Sequence, residues 1–110
     1  MIQAEFYVQD GDRVTGFSVS GHSMFAEAGE DIVCAAVSSA AYMTANTLTE
    51  ILSLEPQLLL DEGCMCVLLR EPGEIDRAQD ILKGFRLHLT QLATDYPNHI
   101  AVNLRGVENA

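Results

Sequence analysis

Two side chains in this chain have the types and spacing of a nucleophilic pair, His22 and Cys34. Cysteine attacks a carbonyl as its thiolate, and a free thiol is mostly protonated at neutral pH. A histidine within reach can pair with the thiolate and later protonate a leaving amine. The first turn of a helix offers a second kind of help: its unpaired N–H groups and partial positive charge favour a thiolate and can bind a developing oxyanion. The sequence around Cys34 invites that reading. Asp31 is a suitable N-cap before an apolar-periodic run, which predicts a helix over 32–54 with Cys34 in its first turn. His22 stands at the exit of a predicted strand, and the intervening loop, 21–30, has Gly21 at one end and Gly29 near the other. The plain alternative is a small buried cysteine and a surface histidine, and spacing alone leaves both readings open.

Other chemistry-bearing residues admit two readings each. Asp31 either caps the helix or orients His22 as the third member of a triad. Ser38, one helical turn beyond Cys34, either lines a pocket or hydrogen-bonds back into its own helix. Cys64 and Cys66 share one face of a predicted strand. Tetrahedral zinc sites use wider spacing and a second ligand pair, so these two are read as core residues, with no metal expected. His88 and His99 are expected at the surface or at an interface. Glu27, Glu30 and Asp31 either attract a basic substrate segment or form a solvated face.

The elements that must position these groups follow from periodicity. Ile2, Ala4, Phe6 and Val8 alternate with polar residues, Asp10-Gly11-Asp12 marks a turn, and Val14 to Val19 supplies the second strand of a hairpin. The helix over 32–54 is rich in small residues in its first half, which lets its backbone lie close to a sheet. Residues 57–61 and 64–70 read as two strands about Glu62-Gly63, apolar on both faces and therefore expected as a central, covered pair. Glu71-Pro72-Gly73 reads as a turn. Ile75, Ala78, Leu82, Phe85, Leu89, Leu92 and Tyr96 give the strongest helical stripe. Ile100, Val102 and Leu104 form a last strand. The order ββαββαβ predicts an α+β two-layer sandwich: a mostly antiparallel sheet with two helices on one face. A partly uncovered sheet face would be buried by a homodimer.

The 110 residues make one domain, 1–110, with 48% hydrophobic residues to build one core. Three cysteines without regular spacing argue against a disulfide framework. The uninterrupted apolar runs are too short to span a bilayer, and the first residues lack the pattern of a signal peptide, so the cytoplasm is the expected location. Six basic residues against sixteen acidic ones give a formal net charge of −10. That field repels phosphate backbones, so nucleic acid is not an expected partner, and it favours a basic protein or peptide. The short apolar runs leave a membrane out of the expected partners as well.

Gly21-His22, then Ala26, Gly29, Asp31 and Val33-Cys34-Ala35-Ala36-Val37-Ser38, resembles the signature of the bacterial ribosomal-processing cysteine proteases. Chain length and element order are similar to that family as well. Ser23-Met24 departs from the small residue or glycine often found after the Gly-His pair. The resemblance implies a cytoplasmic, homodimeric, cofactor-free endopeptidase. It implies removal of a short N-terminal extension from a large-subunit ribosomal protein, cut after phenylalanine, before ribosome assembly. It also implies His22 as general base, Cys34 as nucleophile, and the loop bounded by Gly21 and Gly29 as a cover over an extended substrate. Two rivals belong to other classes: a non-catalytic dimeric adaptor for basic ribosomal proteins, and a thiol-dependent hydrolase of small amides or esters.

Overall fold

The structure, a computed structural model, describes residues 1–21 and 28–107, with the side chains of 28–31 outside the description. Five strands form one sheet in the order β3-β4-β2-β1-β5. They are β1 (Ile2–Gln9), β2 (Arg13–Ser20), β3 (Gln57–Asp61), β4 (Cys64–Leu68) and β5 (Ile100–Gly106). Three of the four pairings are antiparallel, and β5 runs parallel to β1. The helices are α1 (Ala28–Asn46), α2 (Pro72–Arg77) and α3 (Gln79–Asp95). This is the expected α+β sandwich.

The hairpin β1–β2 carries one irregularity that explains its sequence. Tyr7 pairs with Gly16 and Val8 with Val14, so Thr15 is an extra residue on β2. Such a bulge lets two inward positions, Val14 and Phe17, stand three residues apart instead of two. The Thr15 hydroxyl donates to the Tyr7 carbonyl across the bulge at 3.3 Å. Ile2, Ala4, Phe6, Val14, Phe17 and Val19 are all buried on one sheet face. Against them pack Val33, Val37, Ala41, Ala45 and Leu48 from the first helical segment and Leu82, Phe85 and Leu89 from α3. Three phenylalanines tie the layers together: the Phe85 ring lies 5.5 Å from Phe6 and 4.8 Å from Phe17 between centroids, edge to face.

Among the described residues the opposite sheet face has no helix on it and is largely polar, with Gln3, Glu5, Tyr7, Ser18, Cys66 and Arg105. It therefore does not require a partner to cover it. Cys64 and Cys66 lie half-buried on this outer side, outside the core where the sequence led us to expect them.

Several boundaries differ from the sequence reading. β4 ends at Leu68 and not at residue 70. The first helix begins at Ala28, not after Asp31, because residues 28–31 continue the helical backbone and acidic residues suit a first turn. Its far end widens at Thr47–Ile51 into a π-helical turn. There Thr47 and Thr49 hydroxyls take the Met43 and Ala45 carbonyls, competing with the backbone ladder. Pro72 opens α2 instead of making a turn, a position where its missing N–H is no loss. Ala78 then separates α2 from α3, although the buried stripe runs on through it. At this junction the Gln79 side-chain amide accepts from the Val14 N–H at 2.9 Å and donates to the Val14 carbonyl at 2.8 Å, as a strand neighbour would.

The β3–β4 pair is not central. β3 is the sheet edge, and Leu58, Leu59 and Leu60 are all exposed. The stretch Ile32–Ile51 is, by length and a mean hydropathy of 1.2, long and apolar enough to cross a membrane, which the unbroken apolar runs alone did not suggest. In this fold it is the core helix: Val33, Val37, Ala41, Thr44, Ala45 and Leu48 form its buried stripe.

Candidate active site

β2 ends at Ser20, and Gly21 turns the chain away from the sheet with φ +92°. That left-handed conformation is one glycine adopts readily and L residues with a side chain rarely do. Space makes the same demand: a Cβ on Gly21 would stand 2.5 Å from the Met1 carbonyl oxygen. The exit from β2 toward His22 is therefore built around a glycine. His22 itself lies outside the described residues, as does Glu27.

Cys34 is the seventh residue of α1 and is half-buried, packed at the margin of the core. Since α1 starts at Ala28, Cys34 lies beyond the first turn, whose amides belong to residues 28–31. The expectation that Asp31 is the N-cap and that Cys34 sits in the first turn is thus corrected. Asp31 is the fourth helical residue and Gly29 the second, so Gly29 belongs to the helix and not to the loop. The Asp31 side chain, and with it the expected contact to His22, lies outside the described residues.

Cys34, Ser38 and Tyr42 are spaced four residues apart, so they succeed one another along one side of α1. The last two open onto a cavity of about 510 Å³ between α1 and the β3–β4 turn. Val19, Ala41, Leu60 and Met65 give it an apolar floor, and Asp61 and Glu62 place carboxylates at its rim. Ser38 is thus a cavity-lining residue, one turn from Cys34. The cavity and the Gly21 exit belong to the same end of the sheet, because Ser20 at the end of β2 pairs with Cys64 at the start of β4. Tyr42 and the β3–β4 turn were missed in the sequence. Tyr42 was visible there as the next member of the Cys34–Ser38 series.

The environment of Cys66 disfavours its thiolate. Burial pushes the Cys66 thiol above its ordinary range, and the neighbouring Cys64 adds to the effect. Tyr7, beside Cys66 on the same open face, is also raised, chiefly by burial. Among the described residues no three or more His, Cys, Asp or Glu side chains gather in a way that could hold a metal ion.

A family model, cysteine protease Prp, matches residues 1–101. The chain belongs to the cysteine protease Prp family. The Prp match extends over nearly the whole sandwich, and cysteine-protease chemistry is the activity of the enzyme. The ribosomal processing cysteine protease Prp of Bacillus subtilis is 28% identical, the match covering 93% of this chain and 96% of that protein. The Prp of Staphylococcus aureus is also 28% identical over 96% of this chain and all of its own length. A Streptococcus mutans protein of known crystal structure superposes with a TM-score of 0.88 at 29% identity, covering 97% of this chain and 96% of that one. S. aureus Prp crystallised with a substrate peptide superposes with a TM-score of 0.85 at 27% identity, over 96% of this chain and 100% of that one. The S. aureus enzyme has also been crystallised with a covalently linked product peptide.

Proposed function

We propose that this enzyme is a ribosomal-processing endopeptidase of the cytoplasm, with Cys34 as nucleophile and His22 as its base. The observation that carries the reading is the Prp match over residues 1–101. Cys34 stands on the α1 side that leads through Ser38 into the cavity beside the β3–β4 turn, a place that suits the role. Relatives named ribosomal processing cysteine protease support the substrate class. Cys34 Sγ gives its proton to His22 and attacks the scissile carbonyl, forming a tetrahedral oxyanion. Collapse of that intermediate expels the new amine, which takes the proton from the His22 imidazolium. The thioester left on Cys34 is then hydrolysed by water, with His22 as base, releasing the acid and the free thiol.

The substrate in this reading is the N-terminal extension of a large-subunit ribosomal protein. A net charge of −10 and the carboxylates of Asp61 and Glu62 at the cavity rim suit a cationic precursor. The enzyme acts as a homodimer. Incubation with the precursor ribosomal protein tests the proposal: the wild type removes the extension, while Cys34→Ala and His22→Ala do not, and His22→Ala also slows alkylation of Cys34 at neutral pH. Equal cleavage by wild type and Cys34→Ala would sink the assignment.

A further inference from the structure

The cavity between α1 and the β3–β4 turn joins two kinds of surface. Val19, Ala41, Leu60 and Met65 form an apolar floor, and Asp61 and Glu62 stand at the rim. No lysine, arginine or histidine is found among the described residues that line it. Several acids elsewhere are matched, Glu5 by Arg105, Asp12 by Arg86 and Lys83, and Asp76 by Arg13. Among the described residues no basic side chain forms an ion pair with Asp61 or Glu62. The turn itself holds one of the two carboxylates: Asp61 Oδ1 accepts the Glu62 N–H at 2.7 Å. A floor and rim of this kind match a long aliphatic stem that ends in a cation, the build of lysine and arginine. A wholly apolar occupant would take water from the carboxylates without replacing its hydrogen bonds, and an acidic one would meet like charge. Tyr42, also in the lining, adds an aromatic ring, which attracts a cationic head over a neutral one.

The cavity also stands at a set distance from Cys34. From this side of α1 its lining takes Ser38 and Tyr42, one and two helical turns beyond Cys34, and not Cys34 itself. A helix rises about 1.5 Å per residue, so the cavity lies roughly 6 to 12 Å along α1 from that residue. An extended peptide advances about 3.3 Å per residue, which places the occupant roughly two to four residues from the bond that is cut. We propose that the cavity is a subsite for a lysine or arginine of the substrate at that remove, its stem over Leu60 and Met65 and its head at Asp61 and Glu62. The inference rests on Cys34 as the nucleophile, and it goes beyond general attraction. A net charge of −10 draws any cationic chain and decides nothing about register. A cavity with its own carboxylates asks for a basic residue at one position of the substrate, and so helps to set which bond reaches Cys34.

Internally quenched peptides that span the cleavage site of the precursor ribosomal protein provide the test. Each position from two to four residues on either side of the bond is set in turn to lysine, norleucine or glutamate. At one of these positions the wild type is expected to cleave the lysine peptide with kcat/KM roughly three- to tenfold above norleucine, through KM, with glutamate poorest. Norleucine keeps the stem and drops the charge, so this difference reads the head alone. Asp61→Asn combined with Glu62→Gln abolishes the difference at that position with an unchanged melting temperature, since asparagine can still accept the Glu62 N–H. Raised salt narrows it in the wild type. A lysine preference that survives the double variant, or equal cleavage of lysine and norleucine at every position, overturns the subsite and leaves the protease in place. Equal cleavage by wild type and Cys34→Ala, or none by either, overturns instead the reading on which the subsite rests.

Discussion

Gly21 and Met1 stand so close that a methyl group on Gly21 would lie 2.5 Å from the Met1 carbonyl oxygen. The residue after this contact is His22, the base of the proposed mechanism, so the N-terminal end of β1 sets how the chain leaves β2 toward it. Gly21→Ala combines a forbidden backbone angle with a clash against main chain. It is expected to cost about 1–3 kcal/mol, a fall of roughly 5–15 °C in Tm, together with a loss of cleavage. Gly84→Ala is the contrasting case. Gly84 lies in α3 with nothing within 4 Å of an added Cβ, and this substitution is expected to raise stability by about 0.5–1 kcal/mol. Differential scanning calorimetry of the two variants checks the pair, and equal melting temperatures would remove the strain assigned to Gly21.

Tyr42 is half-exposed on α1, two turns beyond Cys34, and lines the cavity beside the β3–β4 turn. If peptide substrate occupies that cavity, Tyr42→Ala raises KM by roughly three- to tenfold, about 1 kcal/mol of lost contact, and leaves kcat and Tm nearly unchanged. A fall in kcat with KM constant would place Tyr42 near the chemistry instead. No change in either constant would remove the cavity from the substrate path.

Asp12, in the turn after β1, accepts two bonds from the Arg86 guanidinium, at 2.7 and 3.2 Å, with Lys83 at 3.8 Å. The hydrogen bonds from Arg86 hold its carboxyl below the usual range. A carboxyl whose folded value is depressed contributes its stabilisation above the unfolded value and loses it as pH falls through the folded one. Asp12→Asn therefore lowers Tm at neutral pH, and the gap to wild type closes as pH falls through and below the ordinary carboxylate range. Thermal melts of both proteins across that range provide the check. A gap that widens on acidification would contradict the sign.

The element types were legible because residues such as Ile75, Leu82, Phe85 and Leu89 keep a helical period and Ile2, Ala4 and Phe6 a strand period. Less legible were features that depend on partners distant in sequence. The apolar doubling of β3 and β4 reads as a central pair, yet edge and centre differ only in what lies alongside, and among the described residues β3 has a strand neighbour on one side alone. Gln79 looks like an ordinary helix residue until the fold brings Val14 to it. The start of α1 was placed too late because Asp31 is equally suited to a cap and to an early helical position. At the site, Cys34 and Ser38 were visible as a helical pair, and the cavity was not, since its other wall comes from the β3–β4 turn.

The parallel seam between β1 and β5 has a consequence for how the enzyme is made. Ile2 pairs with Ile100 and Val8 with Gly106, nearly the length of the chain apart. Pairings so remote in sequence form late, after most of the closure entropy has been met by other contacts. During translation β1 must wait, its flank open beside β2, until β5 has left the exit tunnel. A nascent chain stalled before residue 100 would therefore lack the strand that seals β1, so the completed sheet marks a protease whose synthesis has passed that point.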